Sequence, residues 1–117
     1  MNAKRLSDPG GMLPLTAAVF SILLALAGSE KHGYAIMKEV SLDEGGAVSM
    51  GPGTLYGSLD RMLKASLIEE TDLTDNDRRR YYRITRFGAE VLAAETSRLS
   101  RAIRSARRKG VLKEARP

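Results

Sequence analysis

No cysteine occurs in the 117 residues, and histidine occurs once, at His32. The first absence excludes a disulfide framework and any thiolate metal site, and a lone imidazole cannot build a metal centre. No metal and no cofactor are therefore expected. Tryptophan is missing too, and the aromatic set is Phe20, Tyr34, Tyr56, Tyr81, Tyr82 and Phe87. No apolar run approaches the ~20 residues that a membrane-spanning helix needs. The glycine-rich stretch 43–53, DEGGAVSMGPG, has no lysine, so it cannot be a phosphate-cradling loop of the Gly-Lys-Ser/Thr type. Ala47 stands where a nucleophile elbow around Ser49 would require glycine. With no paired carboxylates in a recognisable frame either, an enzyme is not expected. The absence of thiols fits a reducing cytoplasm, which is the expected location.

What is present describes one small globular domain: 43% apolar, 28% charged and a net charge of +5. The charge is unevenly placed. Residues 98–117 carry eight Lys or Arg against one Glu, giving +7, so the other 97 residues together carry −2. A second basic cluster is Arg78-Arg79-Arg80. Basic clusters point to nucleic acid or an anionic surface, although a solvated helix face has the same composition.

Residues 1–13, with Asp8-Pro-Gly-Gly, have the composition of a disordered leader. Pro14 is expected to start a helix with Leu15, Val19, Ile22, Leu23 and Leu26 in register, and Gly28 to stop it. Lys4, Arg5, the apolar run and Ala25-Leu26-Ala27 outline a secretory signal. Against that, Asp8-Pro-Gly-Gly separates the charges from the run, and removing residues 1–27 would take away the most apolar helix. A shorter helix follows over His32 to Leu42, with Tyr34, Ile36, Met37 and Val40 as its apolar content.

The organising stretch is PGTLYGSLDRMLKASLI, from Pro52 to Ile68. Leu55, Leu59, Met62 and Leu63 fall on one helical stripe; Thr54, Tyr56, Gly57, Asp60, Arg61 and Lys64 occupy the opposite face. Ile68 to Leu73 is expected as a strand, Thr74 to Asp77 as a turn, and Arg78 to Thr85 as the return strand, with Tyr82 and Ile84 toward the core. Helix, strand, basic turn and strand are the parts of a winged helix. On periodicity alone the plainer reading, an amphipathic core helix followed by a hairpin, is favoured. A last helix runs from Thr85 or Arg86 to Lys109. Leu92, Leu99 and Ala106 repeat at seven with Ala102 and Ile103 between them, a narrow stripe that suits a helix–helix seam. Dimerisation through it, or packing back onto the first helix, are the two ways to cover it. The expected seam comprises Leu92, Leu99, Ala102, Ile103 and Ala106 with Leu15, Val19 and Ile22 of the first helix.

HGYAI (His32 to Ile36), GTLYGSLDRM (Gly53 to Met62), SLIEE (Ser66 to Glu70) and DRRRYYRITRFG (Asp77 to Gly88), in this order and spacing, resemble the PadR-like transcriptional regulators, in particular the shorter subgroup with one C-terminal helix. The resemblance spans about Leu15 to Leu99. It implies a mainly α fold with a small β-hairpin: a winged helix-turn-helix domain over 14–85, a C-terminal dimerisation helix over 86–109 and a basic tail over 110–117. It implies DNA-binding roles for Tyr34, for Gly53, Thr54 and Tyr56 at the start of the recognition helix, for Gly57, Arg61 and Lys64 along it, and for Arg78, Arg79 and Arg80 in the wing. Two positions depart from the family pattern. Gly57 replaces a common proline, which lets the backbone come closer to DNA. Ser66 replaces a glycine, so the helix is expected to end without the usual positive-φ residue.

The expected function is that of a sequence-specific, homodimeric regulator of double-stranded DNA, acting as a repressor at a palindromic operator and released by a small-molecule effector, as family members typically are. The alternative is a winged-helix module whose partner is a protein and which has no specific duplex binding.

Overall fold

A charge-free helix, α1 (Ala17–Gly28), forms the centre of the molecule in the computed structural model, which describes residues 8–42, 50–71 and 79–113. Ile22, Leu23, Ala25 and Leu26 are buried on it, and later elements pack around it: α2 (Gly33–Leu42), α3 (Pro52–Lys64), strand β3 (Tyr81–Ile84) and the long α4 (Arg86–Arg108). Thr16 caps α1, its hydroxyl accepting the N–H of Val19 at 3.2 Å. The helix therefore starts at Ala17, not at Pro14 as expected, because the capping hydroxyl and not the proline sets its first turn. At its other end Lys31 donates to the carbonyl of Ala25 at 2.7 Å.

Lys31–His32 form a two-residue strand β1, and Ile68–Glu70 form β2. The order is β1-β3-β2, antiparallel throughout, with Lys31 opposite Tyr82 and Glu69 opposite Arg83. The expected hairpin is present as β2 and β3. The third strand was not expected, since two residues are too short for an alternating pattern. It also takes His32 out of the second helix, which begins at Gly33.

Pro52 opens α3, and Leu55, Ser58, Leu59 and Met62 are buried along it. The helix ends at Lys64, earlier than the stretch to Ile68 suggested. Ser66 takes φ +62°, while Leu67 N–H bonds the Met62 carbonyl at 2.9 Å and Ser66 N–H the Leu63 carbonyl at 3.1 Å. This is a Schellman ending with serine in the left-handed position that glycine usually fills. The expectation of an ending without positive φ is thus corrected: the bonding pattern demands it whatever the side chain.

The next joint is stitched by Thr85. Its hydroxyl lies 2.7 Å from the Ser66 carbonyl and 3.0 Å from that of Leu67, and accepts Gly88 N–H at 2.9 Å, capping α4. A Cβ at Gly88 would stand 2.0 Å from the Leu67 carbonyl oxygen, so only glycine allows this approach.

Two further expectations are corrected. From Asp8 on the leader is folded: Pro9–Met12 form a 3-10 turn packed on α4, and Met12 and Leu13 lie against the core. Ile22 and Leu92, assigned to a dimer seam, are buried inside the subunit at 0% and 9% exposure. Both belong to the core that α1 forms with its neighbours in one subunit. Leu15 and Val19 are half-buried. The last fully buried residue of α4 is Glu95; Leu99 and Ala106 are half-buried, and Ala102 and Ile103 are exposed. The expected turn Thr74 to Asp77, Arg78 and most of the glycine-rich loop lie outside the described residues.

Candidate nucleic-acid interface

The buried stripe of α3 fixes which of its side chains reach solvent. Gly53, Thr54, Tyr56, Asp60, Arg61 and Lys64 are exposed and Gly57 is half-buried, all on the face away from Leu55, Leu59 and Met62. Gly51, at the N-cap, supplies no side-chain bond. The first-turn N–H groups of α3 thus open toward solvent beside the Thr54 hydroxyl. Farther along, Arg61 donates to the buried Ser58 hydroxyl at 3.3 Å. Lys64 pairs with Asp60 at 3.1 Å, an exposed i,i+4 contact that leaves the ammonium available to a stronger anion.

Tyr56 leaves this face sideways and reaches the start of α2. A Cβ on Gly33 would lie 2.5 Å from its hydroxyl, so Gly33 makes room for the phenol. Tyr34, expected among the apolar content of α2, is instead 62% exposed, and Tyr56 is 51% exposed. Together with His32, Arg79, Arg80 and the edge of Tyr82 they line a cleft of about 490 Å³. Arg79 Nη1 lies 3.0 Å from His32 Nε2, and Arg80 is 3.8 Å from Glu70. The Tyr81 ring meets His32 edge-on at 5.3 Å between centroids. Burial, reinforced by the Glu70 charge, pushes the Tyr82 phenol up, keeping it neutral.

The structure thus brings Tyr34, Tyr56, Arg79 and Arg80 to one cleft beside α3, while Thr54, Gly57, Arg61 and Lys64 run along the exposed face of that helix. Arg83, on β3 just beyond Arg79 and Arg80, is neutralised by Glu69 at 2.7 Å and Glu30 at 3.6 Å.

The family described as Transcriptional regulator PadR-like matches residues 22–94, which contain α1 from Ile22, the sheet, α3 and the first part of α4. The chain belongs to the PadR-like family of transcriptional regulators. Its fold is that of a crystallised PadR family transcription regulator from Clostridium difficile: TM-score 0.68 at 24% identity, covering 83% of this chain and all of that one. It is also that of Bacillus subtilis PadR solved in complex with operator DNA: TM-score 0.60 at 20% identity, covering 69% of this chain and 46% of the other. An uncharacterized protein in a transposon of Streptomyces fradiae is 34% identical over 80 residues, covering 68% of this chain; the chain spans 22% of that protein's length. As a PadR-like protein the chain has a winged helix-turn-helix fold.

Two residues that sequence reasoning passed over are His32, which joins β1, α2 and the wing, and Glu95, a buried carboxylate on α4. His32 carried a signal, since it stands three residues before Ala35 in a capping position. So did Glu95, an acid on the apolar stripe with Arg98 three residues on.

Proposed function

We propose that this PadR-like protein is a homodimeric, sequence-specific DNA-binding repressor that places α3 in the major groove and the wing arginines on the flanking backbone. One observation carries the reading. The exposed face of α3, with Thr54, Arg61 and Lys64, adjoins a cleft in which Tyr34, Tyr56, Arg79 and Arg80 converge. Thr54 and the unpaired N–H groups at the start of α3 suit a base edge or phosphate. The tyrosine hydroxyls and arginines suit phosphates. The similarity to Bacillus subtilis PadR, solved with operator DNA, supports the same mode of engagement.

A two-fold dimer through α4 would set two recognition helices about one helical turn apart (roughly 34 Å), matching a palindromic operator. A small-molecule effector would act by changing the angle between the two α4 helices, and with it that separation.

The test is fluorescence anisotropy of the purified protein with duplex DNA from its own upstream region, beside a shuffled duplex of equal length, across a salt series. The expected result is a preference of ~10³ or more for the native duplex at near-physiological salt. Equal, steeply salt-dependent binding to both would overturn specific regulation, leave only a basic surface and put a protein partner first.

A further inference from the structure

His32 holds two contacts that a neutral imidazole cannot both satisfy as acceptor. The N–H of Ala35 donates to its Nδ1 at 3.2 Å, capping the first turn of α2. Arg79 Nη1 lies 3.0 Å from its Nε2. A backbone N–H only donates, and so does a guanidinium, while neutral imidazole carries a proton on one of its two nitrogens. If Nδ1 accepts from Ala35, the proton sits on Nε2 and faces Arg79 donor to donor. If Nε2 accepts from Arg79, the proton sits on Nδ1 and the cap on α2 is lost.

An oxygen anion placed against both groups removes the conflict. It would accept from Nε2–H and from Arg79 together, with Nδ1 left to cap α2. The pair opens on the cleft lined by Tyr34, Tyr56 and Arg80. We propose that His32 and Arg79 form one phosphodiester-binding pair, and that DNA switches the His32 ring from accepting Arg79 to capping α2 while both side chains donate to one backbone phosphate. The switch is a solvent-mediated tautomer change: Nδ1 gives its proton to water and Nε2 takes one from water, with no net proton uptake. It rests on the DNA-binding reading above and adds to it that docking the wing on DNA also tightens the start of α2.

Because the chain holds one histidine, its imidazole gives a single set of signals in long-range ¹H–¹⁵N spectra of the full protein labelled at histidine. Spectra in mildly alkaline buffer, without and with a mixed-sequence duplex at low salt, should show Nδ1–H free and Nε2–H bound. Two variants separate the two nitrogens. His32→Asn can keep the cap, as Asn is a good capping residue, but does not reach the Nε2 position. It should hold its Tm and bind the duplex about 10-fold more weakly, with the salt slope unchanged, because a neutral donor is lost. His32→Gln reaches the Nε2 position and loses the cap. It should bind within about 3-fold of wild type, and because the cap is already open in the free protein its Tm should stay within about 2 °C of the wild-type value. Arg79→Ala, by contrast, should lower the salt slope by about one. The same tautomer in both states, or wild-type affinity in His32→Asn, overturns the pair while leaving the regulator reading intact. A wild-type protein that binds no duplex at any salt overturns both.

Discussion

The carboxylate of Glu95 accepts the backbone N–H of Leu15 at 3.0 Å, across 80 residues of sequence, and so fastens the N-terminal segment to the middle of α4. Glu95 is 2% exposed, and its second partner is Arg98, whose Nη2 lies 3.0 Å from the same oxygen and whose Nε meets the other. Glu95→Ala should cost about 2 kcal/mol, because it strands the Leu15 N–H in a partly buried place and removes a charge-assisted bond. Chemical denaturation checks it. Loss of the tie should also raise amide exchange around Leu15 before the rest of the molecule opens, and unchanged exchange there would show that the turn holds without Glu95.

The same carboxylate makes stability depend on pH. The Arg98 guanidinium beside Glu95 holds its carboxyl below the ordinary value of 4.5; burial opposes this, and the Leu15 N–H adds to the lowering. A folded-state value below the unfolded one means that the charged form favours folding. The contribution is fully present above about pH 4.5 and is lost as pH falls through the lower folded value. Comparing acid-denaturation curves of wild type and Glu95→Gln should show a gap at neutral pH that closes in that acidic window. A constant gap would assign the Glu95 contribution to hydrogen-bond shape instead of charge.

Ser66 holds φ +62° at the end of α3, where its side chain is exposed and its carbonyl is bonded to Thr85. Left-handed backbone costs a residue with a Cβ roughly 1–2 kcal/mol, which glycine escapes at the cost of a larger entropy loss on folding. Ser66→Gly should therefore stabilise the protein by up to about 1 kcal/mol without moving a contact, read as a higher denaturation midpoint at equal slope.

Legibility in the sequence followed the length and periodicity of each element. Leu55, Leu59 and Met62 recur over a helix of 13 residues, and the same pattern named both the buried stripe and the exposed face of α3. Tyr82 and Ile84 alternate with Arg83 and face the core as expected. Two-residue β1 has no period to detect, and its pairing with Tyr81 and Tyr82 is a tertiary fact. The burial of Ile22 and Leu92 was equally invisible, since an apolar stripe on a helix does not say whether its own chain or a second copy covers it. The cleft of Tyr34, Tyr56, Arg79 and Arg80 was legible as a set of residues through family motifs. The link from His32 to Arg79 was not, because it joins residues 47 positions apart and is a tertiary fact.

Gly57 separates a folding role from a binding role on α3. A Cβ there would meet only the end of the Arg61 side chain, at 3.6 Å, an ordinary contact. Gly57→Ala should stabilise the helix by about 0.5–1 kcal/mol, as alanine does in a helix interior. The same methyl would stand between the backbone and a DNA groove. The expected outcome is a higher Tm together with weaker binding to the operator. A rise in Tm with unchanged affinity would show that the backbone at Gly57 stays clear of DNA.

The proposed dimerisation through α4 makes the last prediction. Beyond Glu95 the helix continues for 13 residues to Arg108 with no fully buried side chain, though Leu99, Ala102, Ile103 and Ala106 keep one side apolar. An isolated helical segment of that length is marginal in water, so a second surface is needed to hold it. The other side of this segment carries Arg98, Arg101, Arg104 and Arg108, and no carboxylate follows Glu95 within α4. Like charges along it oppose association and are screened by salt. Ile103→Glu should therefore leave the subunit folded, since Ile103 is 43% exposed, and shift the protein from dimer to monomer in sedimentation velocity. Wild type should dissociate at higher dilution as salt is raised from low to moderate levels. A monomer reads one half-site, so operator affinity should fall with the dimer. If Ile103→Glu stays dimeric, the seam lies elsewhere on the molecule, and the spacing of the two recognition helices is set by a surface other than α4.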